Sequence, residues 1–106
     1  MNINNEGGET ISLSEAISFT HKYQDQNPSS AKAFYVSKDK LNKILNQEEC
    51  VGIRIYNGYD IAENKENRVL VGVDNQNKDL TEGIIIERLN VCPKYCPEDS
   101  KLIRSN

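Results

Sequence analysis

The 106-residue chain has no tryptophan, two phenylalanines, three prolines and a single histidine, His21. One histidine leaves a Cys–His or Ser–His relay only one place to form, and no Gly-x-Ser-x-Gly elbow accompanies it. The Gly7-Gly8 pair lies in a polar start and makes no phosphate cradle. A turnover enzyme is therefore not the expected class. Long apolar runs are absent as well. No stretch approaches the 18 residues or more that a membrane helix needs. The start, MNINNEGGET, lacks both a basic region and an apolar region, so it does not read as a secretory signal and a cytoplasmic location is expected. Positive charge is also short: 13 basic residues face 16 acidic ones, for a net charge of −3. A nucleic-acid binder usually carries a basic stripe. Here the densest cluster is Lys38, Lys40 and Lys43, broken by Asp39, and it reads as a solvated helix face.

Apolar residues make up 37% of the chain, and mean hydropathy is −0.67. The core is thus expected to be small and stability marginal. Disorder is the poorer reading. Leu, Ile, Val and Phe number 26, about a quarter of the chain, above the roughly 20% typical of disordered sequences. The length suits one domain. The 13 asparagines and 11 isoleucines, with 9 lysines against 4 arginines, match AT-rich codon usage rather than any chemistry.

The chain is expected to divide into a disordered start over 1–9, one domain over 10–97 and a tail over 98–106. Ser12-Leu-Ser-Glu15 is a capping box, and Leu13, Ala16, Ile17, Thr20 and Tyr23 follow at helical spacing, so a helix is expected over 13–25. Asn27-Pro28-Ser29-Ser30 is a linker. A short β-prone stretch covers 33–36, and Ser37 caps a second helix over 38–47, with Leu41, Ile44 and Leu45 as its buried stripe. From Cys50 the period becomes two. Val51, Ile53 and Ile55 alternate with Gly52, Arg54 and Tyr56, and Val69, Val71 and Val73 repeat the pattern. Strands over 50–60 and 67–74, a bulge at Gly58 and a turn near 63–66 make a hairpin. A turn over 74–79 leads to Ile84-Ile85-Ile86, apolar on both faces and so expected to be central or a subunit interface. The fold class is α+β: two amphipathic helices packed on a three- to four-stranded antiparallel meander, with 33–36 as the added edge.

Three cysteines are an odd total. Cys92-Pro-Lys-Tyr-Cys96 and Cys50 allow free thiols, one disulfide, or a zinc site in which Cys50, Cys92 and Cys96 are ligands and a water or carboxylate completes the set. Asp74, Gln76 and Asp79 do not follow calcium-loop spacing, and position 12 of such a loop falls on Ile85. Asp60, Glu63 and Glu66 read as a solvated acidic loop. Arg54 and Tyr56 share one side of their strand, opposite the Val51/Ile53/Ile55 stripe, and Tyr59 follows them. Arg and Tyr are enriched at interface hot spots, so Arg54, Tyr56 and Tyr59 are the candidate partner-binding residues.

Gly52-Ile-Arg-Ile-Tyr56 with Gly58, Leu70-Val-Gly-Val-Asp74 and Cys92-Pro-x-Tyr-Cys96 together resemble a set of small flavobacterial and other Bacteroidetes proteins without assigned activity. The resemblance extends to Ile11-Ser-Leu-Ser-Glu-Ala16 and to 32–45, and it covers about residues 10–97. It implies a hairpin turn after Asp60, where relatives place a glycine and this chain has Asn64-Lys-Glu66. The expected function is a small non-catalytic binding or adaptor module with a protein partner or a second copy, without nucleic acid, membrane or cofactor. The alternative is a metal- or redox-dependent module that uses Cys50, Cys92 and Cys96.

Overall fold

The computed structural model describes residues 7–104. Residues 1–6 of the expected disordered start and 105–106 of the expected tail lie outside the described residues. Helix α1 spans Leu13–Gln26, and its N-cap Ser12 accepts a hydrogen bond from the Glu15 amide at 3.1 Å, as the capping box predicts. Asn27 closes it by donating its backbone and side-chain N–H groups to the Tyr23 carbonyl, at 2.9 and 3.0 Å, just before Pro28. Strand β1 is Ala33–Tyr35. Helix α2, Lys38–Leu45, starts at Ser37, whose hydroxyl accepts from the Lys40 amide at 3.2 Å. Asp39 in its first turn and Lys43 in its last both favour the helix dipole. Strands β2 (Gly52–Asp60), β3 (Lys65–Val73), β4 (Ile85–Ile86) and β5 (Asn90–Cys92) complete the order.

The class is α+β, with β2, β3 and β4 forming a three-stranded antiparallel meander. Strand β1 does not extend this meander as its expected edge. It pairs with β5 in a separate two-stranded sheet, Phe34 opposite Val91. The two sheets meet where the Arg68 guanidinium lies 4.3 Å over the Phe34 ring and the Ala31 amide donates to Glu66 Oε2 at 2.9 Å.

The hairpin departs from expectation in two places. Its loop is 61–64, with Asp60 paired to Lys65, so the turn comes earlier than 63–66. Asn64 supplies the left-handed residue there, at φ 54°, a conformation that asparagine tolerates better than most residues. No bulge sits at Gly58, because the pairing runs one-to-one from Gly52 to Asp60. Gly58 instead leaves room for the Asn67 side chain, which would overlap a Cβ built there.

Register then decides the faces. Arg54 lies opposite Val71 and Ile55 opposite Leu70. Directly opposed residues share a face of the sheet. The valine stripe of β3 therefore lies with Arg54 and Tyr56, not with Ile53 and Ile55. On the Ile55 side, α2 packs at Gly72, where a Cβ would stand 2.9 Å from Gln47 Nε2, 3.0 Å from Cys50 Sγ and 3.2 Å from Ile44 Cγ2. Gly72 thus permits the close approach of α2 to β3. Strand β3 is the central strand, and β4 is an edge whose Ile85 is 49% exposed. The two-sided apolarity of 84–86 does not mark a central strand.

Helix α1 is not laid on the sheet as α2 is. Its buried Gln24 clamps the C-terminal segment: Nε2 donates to the Leu102 carbonyl at 3.0 Å and Oε1 accepts from the Arg104 amide at 2.7 Å. His21 donates from Nε2 to the Lys101 carbonyl at 3.0 Å and accepts the Arg104 guanidinium at Nδ1, 3.1 Å away. The radius of gyration is 15.5 Å, above the ~13 Å of a compact 100-residue domain. The buried apolar core is Ile44, Leu70, Val71, Val73 and Cys92.

Ile44 is fully buried between α2 and β3. Ile44→Ala is expected to lower the unfolding free energy by about 2–5 kcal/mol, read by urea denaturation. Ile55→Ala, on an exposed side chain, is the comparison and is expected to change it by less than ~1 kcal/mol.

Candidate functional site

Arg54 and Tyr56 leave the edge strand β2 on the same side. On the far side of β3, Asp79 forms an isolated bridge with Val73. Both side chains reach Asp79: Arg54 Nη1 donates to Oδ1, and the Tyr56 hydroxyl donates to Oδ2. Arg54 Nη2 also donates to Asn77 Oδ1. Because β3 runs between β2 and Asp79, these side chains must cross over Val71 and Val73. That crossing contributes to the burial of both valines, which are at least 97% buried. The expected open Arg/Tyr face is thus a polar lid on an apolar floor, with the guanidinium stem and the phenol ring as its inner surface.

The 74–79 turn brings Asp79 into place. Asp74 Oδ1 accepts the amides of Gln76 at 2.9 Å and Lys78 at 3.0 Å, and Asn77 takes φ 68°. The Asp74 amide donates to the Lys78 carbonyl at 3.0 Å and the Leu80 amide to the Gly72 carbonyl at 2.8 Å, closing the loop onto β3. Asp74 therefore acts as a turn-forming carboxylate. Asp60 does the same in the hairpin loop, accepting the Glu63 amide at 3.1 Å.

Charge follows geometry. The hydrogen bond from Tyr56 holds the Asp79 carboxyl below its ordinary range, and Arg54 adds to the effect; partial desolvation works against both. The same bond to Asp79 raises the Tyr56 phenol above its ordinary value, with desolvation and the carboxylate charge adding and Arg54 opposing. The cluster is a cation, an anion and a neutral phenol at neutral pH. Both Asp79 carboxylate oxygens and the Tyr56 hydroxyl are engaged within it.

Tyr59 is not part of this cluster. Odd-numbered β2 residues face the other side, and the Tyr59 hydroxyl donates to Asn64 Oδ1 in the hairpin loop. It lines a cleft of about 560 Å³ with Lys65, Lys94 and Tyr95. The three cysteines do not come together either. Cys92 and Cys96 are joined in a disulfide with Cα atoms 4.6 Å apart, and Cys50 is free, its thiol donating to the Gly52 carbonyl at 3.1 Å. Among the described residues no three His, Cys, Asp or Glu side chains are grouped as a metal site. No described helix is long and apolar enough to cross a membrane. Asp79 and Asn77 are the site residues that periodicity missed. The available signal was the turn chemistry of Asp74 and Asn77, which folds the chain back beside β3.

A depressed carboxyl makes Asp79 stabilising above the ordinary carboxylate pKa of about 3.9, and that contribution is lost as pH falls through its lower native value. A raised phenol makes Tyr56 stabilising below about 10, and its contribution is lost as pH climbs through the raised value. Carbon-13 NMR titration is expected to find the Asp79 carboxyl below its ordinary value, and Asp79→Asn is expected to return the Tyr56 phenol toward its ordinary titration. Comparison of the chain with protein-family models, curated proteins and solved structures gives no match.

Proposed function

We propose that the protein is a non-catalytic binding module whose protein partner docks on the β2 side of the hairpin, over Arg54 and Tyr56 and around the strand edge to Tyr59. One observation carries this reading. Asp79 and Asn77 hold the polar ends of Arg54 and Tyr56, while the Tyr56 residue stays 47% exposed. A large ring held still before binding loses little entropy when covered, and Tyr and Arg in such settings dominate interface energetics. Ile55 and Tyr59 beside it, 62% and 57% exposed, extend the apolar surface around the same edge. A cluster whose carboxylate and phenol are bonded to each other suits recognition better than turnover. The partner is then read by shape and by the Arg54 charge.

Immobilised protein is expected to capture its partner, and Tyr56→Ala is expected to cut recovery by at least about tenfold, since hot-spot truncations cost ~2 kcal/mol or more. Tyr35→Ala, at an exposed tyrosine on the other sheet, is expected to retain it. Equal recovery with Tyr56→Ala and the unaltered chain overturns the reading.

A second reading is favoured by the Cys92–Cys96 bond. The Cys92 carbonyl accepts the Lys32 amide at 2.7 Å, and Cys92 pairs with Ala33, so the disulfide sits at the seam of the β1–β5 sheet. In a reducing cytoplasm such a bond is transient and redox-sensing, whereas outside it the bond persists. The seam would then loosen on reduction, with Cys50 unaffected. Alkylation in urea followed by intact-mass measurement is expected to add one label before reduction and three after it, as one free and two bonded cysteines require. Three labels without reductant remove the redox reading.

A further inference from the structure

The cleft of about 560 Å³ that Tyr59 lines opens between the end of the β2–β3 hairpin, the 29–31 linker and the loop after β5. Its size is that of a small-molecule site, typically about 300–1,000 Å³. Each wall is fixed by a bond within the chain. Tyr59 donates its hydroxyl to Asn64 Oδ1, which holds its ring at the hairpin end. Glu66 Oε2 accepts the Ala31 amide at 2.9 Å and ties the linker to β3. Pro93, Lys94 and Tyr95 are enclosed by the Cys92–Cys96 disulfide, and the Tyr95 amide donates to the Val91 carbonyl at 2.8 Å. Walls held in this way before binding reduce the ordering cost that a ligand would otherwise meet.

The open charge of the cleft has one sign. Lys65 and Lys94 line it, and among the described residues neither ammonium has a carboxylate within 4.0 Å. The carboxylate on the lining, Glu66, is already taken by the Ala31 amide and by Arg68, 4.0 Å away. A concave wall carrying one sign of charge concentrates ions of the other sign. Beside the lysines stand two aromatic rings, Tyr59 and Tyr95, 57% and 61% exposed. Leu89 and Val91, both half-buried, add apolar surface. We infer that this cleft binds a small aromatic acid. The tyrosine rings cover its flat apolar body, and Lys65 and Lys94 take its carboxylate. A neutral ligand of the same shape leaves both ammonium groups without a counter-charge, and a bare anion leaves the rings uncovered. The site goes beyond the docking of a protein partner over Arg54 and Tyr56 and shares only Tyr59 with that surface.

Titration of the oxidised full chain with naphthoate, followed by proton–nitrogen correlation NMR, tests the assignment. Saturable shifts are expected at the amides of Lys65, Val91, Lys94 and Tyr95. Naphthamide, which keeps the rings and lacks the charge, and acetate, which keeps the charge and lacks the rings, are each expected to bind at least about tenfold more weakly. Lys65→Gln combined with Lys94→Gln is expected to weaken naphthoate by about tenfold and to leave naphthamide unchanged. Tyr95→Ala is expected to weaken both ring ligands. These three side chains are exposed, and resonances away from the cleft report that each variant is folded. Shifts that do not saturate, shifts centred away from the cleft, or equal naphthoate affinity in the doubly substituted chain overturn the site. Partner capture is read separately through Tyr56→Ala, so naphthoate binding can fail while capture stands, or hold while capture fails.

Discussion

The pairing of Arg54 with Val71 across the β2–β3 hairpin is the constraint on which the rest of the molecule depends. A one-residue slip would move every side chain of one strand to the other face. With the observed register, Gly72 meets α2 and Arg68 meets the β1–β5 sheet at Phe34, while Val71 and Val73 receive Arg54 and Tyr56 from above. Strand β3 is therefore buried on both faces by unlike materials, a helix on one side and a polar lid on the other. The four-residue loop 61–64, with Asn64 in the left-handed region and Asp60 capping the turn, sets that register.

This arrangement lets a thin core suffice. Five apolar side chains are buried among the described residues, and three of them belong to β3. The lid residues shield the valines from water with their stems, while Asp79 and Asn77 hold their heads. On the proposed function, a change at Tyr56 or Arg54 would be felt in both stability and recognition. Gln47 has a comparable linking role on the other face. Its side chain donates to the Ile44 carbonyl at 2.9 Å and accepts the Ile84 amide at 2.9 Å, tying α2 to the chain that leads into β4.

Much of the local structure was legible from residue type. Ser12 and Ser37 mark both helix starts because their hydroxyls satisfy amides that the helix cannot. The period-two stretches mark β2 and β3. The tandem Cys92 and Cys96 mark a segment of special chemistry, although the residues alone left free thiols, a bridge and a metal site all open. The partner-binding candidates Arg54 and Tyr56 do share a face, as alternation requires, whereas Tyr59 lies on the opposite one by the same rule. Asp79 and Asn77 stayed hidden because their role depends on where a loop 20 or more residues away in sequence returns to the sheet.

The sequence by itself therefore determined what is set within a few residues: the caps, the strand periods, the turn chemistry and the α+β class. Tertiary structure alone decided which stripe faces which layer, that β1 joins β5 rather than the meander, that β4 is a border, and that α1 docks on the C-terminal segment. The physical reason is range. A cap or a period is the energy of neighbours along the chain, while register and sheet order are fixed by contacts between segments that the sequence does not set side by side.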